Sequence, residues 1–152
     1  MSDPIKPPAA RRPEEALELL SQALSDGDLE AALAQYESSA LLGYWPGRTT
    51  HADHDVRGTL ACFMALRLPL SVRIATVLET PDLALVICDR RVAGTTPDGE
   101  QVRLSGRGCA AVRPQPDGAW RIAADAWQTG PEPPAEDWLS RWPDQGATAR
   151  SD

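Results

Sequence analysis

After Pro69 the chain reads as four long strand-like runs joined by very short links, and nothing else in it constrains the fold so tightly. The runs cover roughly 70–79, 83–94, 101–113 and 119–127, and the links are TPD, TTPDGE and RPQPDGA. Proline presets φ in each link, and glycine in the two longer ones supplies φ > 0. Links this short join antiparallel neighbours, so the second half of the chain is predicted to be a meander. The strands exceed the usual ~5–6 residues and must therefore twist. Gly106 and Gly108 are the predicted bulge or bend points.

The first half has a different period. Residues 1–13 hold four prolines and the Arg11-Arg12 pair without an apolar repeat, and are read as a flexible arm. From Glu14, Leu17, Leu20 and Leu24 share one helical stripe, with Glu14 and Glu15 at the positive end of the dipole. Gly27 suits a left-handed helix end, and Asp28 then caps a second helix. Leu29, Ala32, Leu33 and Tyr36 match one buried face of that helix. A strand over Ala40 to Trp45, a Pro46-Gly47 turn and a return strand through Arg48 to His51 make a hairpin. A third helix runs from about Asp55 to Arg67, capped by Asp53 or Asp55, with Val56, Thr59, Leu60, Phe63 and Met64 in phase. Three helices against a long antiparallel sheet give an α+β domain with a concave interior over residues 14–128. Residues 129–152 read as a proline-rich extension with one short helix candidate, in which Trp138, Leu139 and Trp142 share a face.

With 152 residues the chain suits one domain. No apolar run approaches the ~20 residues of a membrane helix, and the N-terminal residues lack the apolar stretch of a secretory signal. A formal charge of -7 with scattered arginines argues against a nucleic-acid partner. Cys62, Cys88 and Cys109 have no metal-ligand spacing, so no metal or other cofactor is expected. They read as small buried hydrophobes in a reducing cytoplasm.

Three pieces in this order carry a resemblance: Gly27-Asp28-Leu29, then Leu66-Arg67-Leu68-Pro69-Leu70 entering the sheet, then Asp117-Gly118-Ala119-Trp120-Arg121-Ile122. Together they resemble the nuclear transport factor 2-like superfamily, most of all its SnoaL-like and ketosteroid-isomerase-like branches. The resemblance implies a cone-shaped fold, three N-terminal helices on a strongly curved, mainly antiparallel sheet. It also implies an apolar pocket between helices and sheet and dimerisation through the sheet. Members include isomerases, dehydratases, epoxide hydrolases, polyketide cyclases and non-catalytic binding modules, so fold leaves function open. The general-base Asp of ketosteroid isomerases would fall at Tyr44, an oxyanion-binding Tyr at Leu20, and the neutral acid near Ala110 or Ala111. None of these residues can do that chemistry. The last strand, by simple alternation, puts Trp120, Ile122, Ala124 and Ala126 on one face and Arg121, Ala123, Asp125 and Trp127 on the other. Many relatives look like they carry cavity-facing histidines where this chain has Ala124 and Ala126, which open volume and remove acid-base capacity.

The catalytic candidates are Asp89, Arg107 and His51. Asp89 follows LALVIC, and burial there would raise its pKa toward general acid-base use. Asp89, Arg91 and Arg107 invite comparison with the Asp-Arg-Asp relay of epoxide hydrolases in the superfamily, against which stands an outer-face ion-pair reading. Arg107, with Arg103 on the same strand face, could bind a carboxylate or enolate. His51 is either a titratable group at the mouth of the cone or a solvated loop histidine, and His54 is the weaker of the two. Tyr44, Trp45 and Tyr36 could stack and hydrogen-bond a flat ligand, and Trp120, Ala124 and Ala126 complete the expected pocket wall. Trp138 and Trp142 would cap the cavity or a partner subunit. The resulting expectation is a homodimer that binds a hydrophobic small molecule. It would be an isomerase-, cyclase- or hydrolase-type enzyme on a polyketide-like or polycyclic compound, or alternatively a non-catalytic binding or assembly module.

Overall fold

A computed structural model describes residues 5–44, 49–51, 53–127 and 130–131 of the chain; for residues 44, 49–51, 53–55 and 130–131 only the backbone path is described. Helix α1, Pro13–Asp26, starts with Pro13 in the first turn, where a missing N–H costs nothing. It ends at Gly27, whose φ of 72° is the left-handed conformation glycine adopts without a Cβ clash. The Asp28 side chain accepts from the Ala31 N–H at 3.0 Å and opens α2, Leu29–Leu33. This helix is one turn long. The predicted helical face through Tyr36 therefore stops short: Tyr36 opens strand β1, Tyr36–Tyr44. Strand propensity of tyrosine and the demand for a partner to the last strand override a helical period of only four residues.

Strand β2, Thr49–His51, returns antiparallel to β1 as expected of the hairpin. Helix α3 spans Asp53–Ala65, two residues earlier than its predicted start. The four meander strands are β3, Leu70–Glu79, β4, Ala84–Thr95, β5, Gln101–Pro114, and β6, Trp120–Trp127. All consecutive pairs are antiparallel. The sheet order is β2-β1-β6-β5-β4-β3, and a two-residue strand β7, Gly130–Pro131, pairs with β5. One contact is parallel: β1 lies alongside β6. The α+β class and the three-helix, curved-sheet layout hold, with that mixed pair added.

Bulges sit elsewhere than predicted. Gly106 and Gly108 stay in regular register opposite Arg90 and Cys88. The irregularities fall at Ala75, passed over between the Ile74–Cys88 and Thr76–Ile87 pairs, and at Ala123, passed over between Val112–Ile122 and Ala111–Ala124. An extra residue unpaired in a ladder shifts every later side chain to the opposite face.

The core fills the space between helices and sheet. Leu17, Leu20 and Leu24 of α1 and Val56 and Leu60 of α3 pack against Leu42, Val86, Ala110, Val112 and Ile122. Leu20 is a core residue and Ala110 lies on the inner sheet face, so neither position expected of a catalytic group holds one. The end of the N-terminal arm is docked: Ala10 is fully buried, its carbonyl accepts from the Trp120 N–H at 2.9 Å, and the Gln35 amide donates to the Pro8 carbonyl. Of the cysteines only Cys88 is buried; Cys62 and Cys109 are exposed. Trp45, Trp138 and Trp142 lie outside the described residues, as do the side chains of Tyr44, His51 and His54. Among the described residues no helix is long and apolar enough to cross a membrane.

Candidate functional site

The inner face of β4 is set by period two: Ala84, Val86, Cys88, Arg90 and Val92 are all buried, while Leu85 and Arg91 are exposed. That alternation drives Arg90, 2% exposed, into the interior. On β6 the inner face changes phase. Ile122 is buried, the unpaired Ala123 follows, and Asp125 and Trp127 are then buried in its place. Asp125 becomes an inward residue opposite Ala110, whereas plain alternation sends it to the outer face.

Arg90 and Asp125 meet there. The Arg90 Nη2 donates to Asp125 Oδ1 at 2.7 Å, with both side chains shut off from solvent (1% and 0% exposed). The other carboxylate oxygen, Oδ2, accepts from the Tyr36 hydroxyl at 3.0 Å and from the Trp127 indole N–H at 2.6 Å. Arg90 Nε donates to Cys88 Sγ at 3.3 Å, and its guanidinium carbon lies 4.7 Å from the centre of the Trp127 ring. Gly108 makes room for this head group, since a Cβ at that position would stand 3.2 Å from Arg90 Cζ and Nε. A buried charge is tolerated only when paired and hydrogen-bonded, and Asp125 meets that condition with three donors. Arg90 Nη1 does not: it is buried without a partner among the described residues.

The titration shifts follow from this packing. Burial works against the charge on Arg90, and the Asp125 carboxylate overrides it, holding the guanidinium pKa above its ordinary value. Burial, then the negative charge of Asp125, push Tyr36 well above the usual phenol range. Burial likewise raises Cys88, so its thiol stays protonated near neutrality. These groups make a charge-neutral, locked cluster. Asp125 accepts from three donors and has little capacity left to take a substrate proton.

Beside the cluster, under α3, lies a cavity of about 530 Å³. Leu42, Leu60, Phe63, Leu68, Val92, Val102, Leu104 and Trp127 give it an apolar wall, and Thr59, Cys62, Thr96 and Glu100 supply the polar groups. Phe63 and Trp127 meet edge to face, centroids 5.8 Å apart at 81°. Among the described residues no group of His, Cys, Asp and Glu is arranged to hold a metal ion.

The sequence candidates fall mainly outside this space. Asp89 is on the outer sheet face, bonded to Arg107 at 2.9 Å and Arg73 at 2.8 Å. Its pKa is lowered, first by the Arg107 hydrogen bond and then by that of Arg73, the reverse of what acid-base use requires. Ala124 and Ala126 also turn outward, past the Ala123 bulge, and Ala126 is exposed. Trp120 is half-buried at the start of β6, away from the cavity wall, and Tyr36 is buried on Asp125 instead of facing a ligand. The residues missed are Arg90, Trp127, Val92 and Phe63. Parity along LALVICDRRV was enough to turn Arg90 inward. Trp127 and Asp125 needed the bulge, which no glycine or proline marks.

No protein-family model and no curated protein sequence matches the chain. Solved structures do. A ketosteroid isomerase-like protein from Erwinia carotovora atroseptica superposes with a TM-score of 0.68 at 19% identity, over 80% of this chain and 95% of that one. A protein from Streptomyces avermitilis described as a candidate dehydratase of the NTF2-like family gives 0.66 at 18%, over 80% and 94%. A candidate calcium/calmodulin-dependent protein kinase type II association domain from Thiobacillus denitrificans gives 0.66 at 14%, over 83% and 99%. At these identities the likeness is one of fold, and the fold is that of the nuclear transport factor 2-like superfamily, as the sequence resemblance implied.

Proposed function

We propose that this nuclear transport factor 2-like fold serves as a homodimeric binding protein for a hydrophobic small molecule, held between α3 and the inner sheet face. The observation that carries the reading is the apolar cavity of about 530 Å³. That size falls within the range of sites for drug-sized ligands, and a few polar groups around an apolar wall are their usual composition. Non-catalytic binding is favoured over catalysis because Asp125, the one buried carboxylate among the described residues, already has three donors. The test is native mass spectrometry of the purified protein with extraction of bound compounds, alongside Leu104→Trp, which fills the cavity from its wall. A co-purified apolar compound that Leu104→Trp excludes is the expected result. Unchanged ligand loading in that variant would overturn the assignment of the cavity.

Dimerisation rests on the outer sheet face. Leu78, Leu85, Ala111, Ala124 and Leu41 are cross-strand neighbours in one row, with Leu78 55% exposed. Ile87, Cys109 and Ala126 form the next row, and the Asp89 ion pairs border it. A continuous apolar face of this kind calls for a cover, and a second copy supplies a self-complementary one. Leu85→Glu should shift sedimentation from dimer to monomer; a wild-type monomer at micromolar concentration rules the reading out. A cytoplasmic location is part of the same proposal, supported by three cysteines that form no disulfide.

An isomerase-, cyclase- or hydrolase-type enzyme acting on a polyketide-like or polycyclic compound is the second reading. The Arg90–Asp125 pair favours it, because Arg90 Nη1 is a donor without a partner among the described residues. Turnover of a bound compound that Arg90→Met abolishes while binding persists would establish it.

A further inference from the structure

Trp127, in the cavity wall, is held at once by a hydrogen bond, a cation and a second aromatic ring. Its indole N–H is bonded at 2.6 Å to a carboxylate that is itself pinned by Arg90 and Tyr36. The Arg90 guanidinium sits over the ring at 4.7 Å, and Phe63 meets it edge to face. Neither Arg90 nor Asp125 is among the lining residues, yet Trp127 and Phe63 both are. The charged cluster therefore acts on the cavity through one indole ring. A buried indole N–H needs an acceptor in any packing role; here the acceptor is itself pinned by Arg90 and Tyr36 and a guanidinium covers the ring, which goes beyond that need, while Leu42, Val92 and Leu104 fill space at the same wall. A ring immobilised before a ligand arrives loses little entropy when one stacks on it. Among the described residues the lining holds no charged donor that would select a carboxylate or phosphate.

We infer that Trp127 is the specificity-determining residue of the cavity, a fixed stacking platform that selects flat, conjugated ligands over puckered ones of the same carbon skeleton. The inference rests on the cavity being a ligand site and names the class of compound it takes. Arg90, Asp125 and Tyr36 are positioning residues for the ring.

A matched pair of probes tests this: naphthol, which is flat, and decahydronaphthol, which is not. Titration calorimetry on the full chain should show naphthol binding about three- to tenfold tighter, the range expected of one stacked aromatic pair. Trp127→Leu should reduce that ratio to about one, naphthol losing more affinity than decahydronaphthol. Trp127→Phe should restore part of the preference, which a purely structural role would not do. Should Trp127→Leu fail to fold, the wild type alone decides: nuclear Overhauser contacts must connect bound naphthol protons to the indole protons of Trp127. If both probes bind equally, or no such contact accompanies saturation, Trp127 selects nothing and the cavity assignment stands. If neither probe binds saturably, the cavity assignment falls and this inference with it.

Discussion

Breaking the Arg90–Asp125 pair from either side should produce two defects that differ in their pH dependence. Both side chains are cut off from solvent, so whichever remains is left as a buried charge. In Asp125→Asn the survivor is a guanidinium that cannot lose its proton in the accessible range. Removing one partner of a buried pair costs about 3–5 kcal/mol. Against a total stability of about 5–15 kcal/mol, that is about a fifth of the whole or more. In Arg90→Met the survivor is a carboxylate, which can take up a proton and become neutral. Its cost at pH 7 is capped at about 4 kcal/mol, the work of protonating an Asp of ordinary pKa ~3.9 at 1.36 kcal/mol per pH unit, and at pH 5 at about 1.5 kcal/mol. The sign is fixed: a proton taken up by the stranded carboxylate removes the buried charge, so the stability of Arg90→Met is recovered as pH falls. The assay is urea denaturation of wild type, both single variants and Arg90→Met/Asp125→Asn between about pH 5 and pH 7.5. The Arg90→Met defect should shrink on acidification, that of Asp125→Asn should not, and the double variant should be far less destabilised than the sum. Additive single effects, or parallel pH profiles for the two, would refute the description of Arg90 and Asp125 as a coupled, solvent-free pair.

Three further outcomes follow from particular contacts. Gly108→Ala brings a Cβ to 3.0 Å from the Ala126 carbonyl and 3.2 Å from the Arg90 head group, and should cost about 1–3 kcal/mol of unfolding free energy, read by urea denaturation. The raised pKa of Tyr36 means the folded state keeps a proton that the unfolded chain loses above about pH 10, so wild-type stability is full below that pH and falls as alkalinity rises toward the folded pKa. Tyr36→Phe, which has no proton to lose, should show a flatter alkaline profile, read by circular dichroism against urea. On the outer face, Asp89 has a lowered pKa, so its ion pairs contribute above the ordinary carboxylate range and are lost as pH falls through the folded value. Because Arg73 and Arg107 are 82% and 60% exposed, Asp89→Asn should cost at most about 1 kcal/mol, less in high salt, measured by thermal denaturation.

The chain's local chemistry wrote most of the fold. Turn residues delimited the meander, Gly27 and Asp28 separated the first two helices, and the Val86–Cys88–Arg90–Val92 alternation fixed which side of β4 is inside. These are short-range effects, decided by φ preferences, capping bonds and period two, and a sequence displays them directly. The site was less legible. A single unpaired alanine, Ala123, reverses the faces of β6, and with it Asp125 goes in while Ala124 and Ala126 go out. Alanine carries no bulge preference of its own. At Ala123 β6 lies antiparallel to β5 on one side and parallel to β1 on the other, and both ladders pass over that residue. Tyr36 was drawn from a helical face into β1 by the same pairing, which is what carries its hydroxyl to Asp125. The sequence by itself determined the order of elements and the burial of Arg90; only the tertiary structure, through the bulge at Ala123, decided which carboxylate Arg90 would meet and which ring would face the cavity.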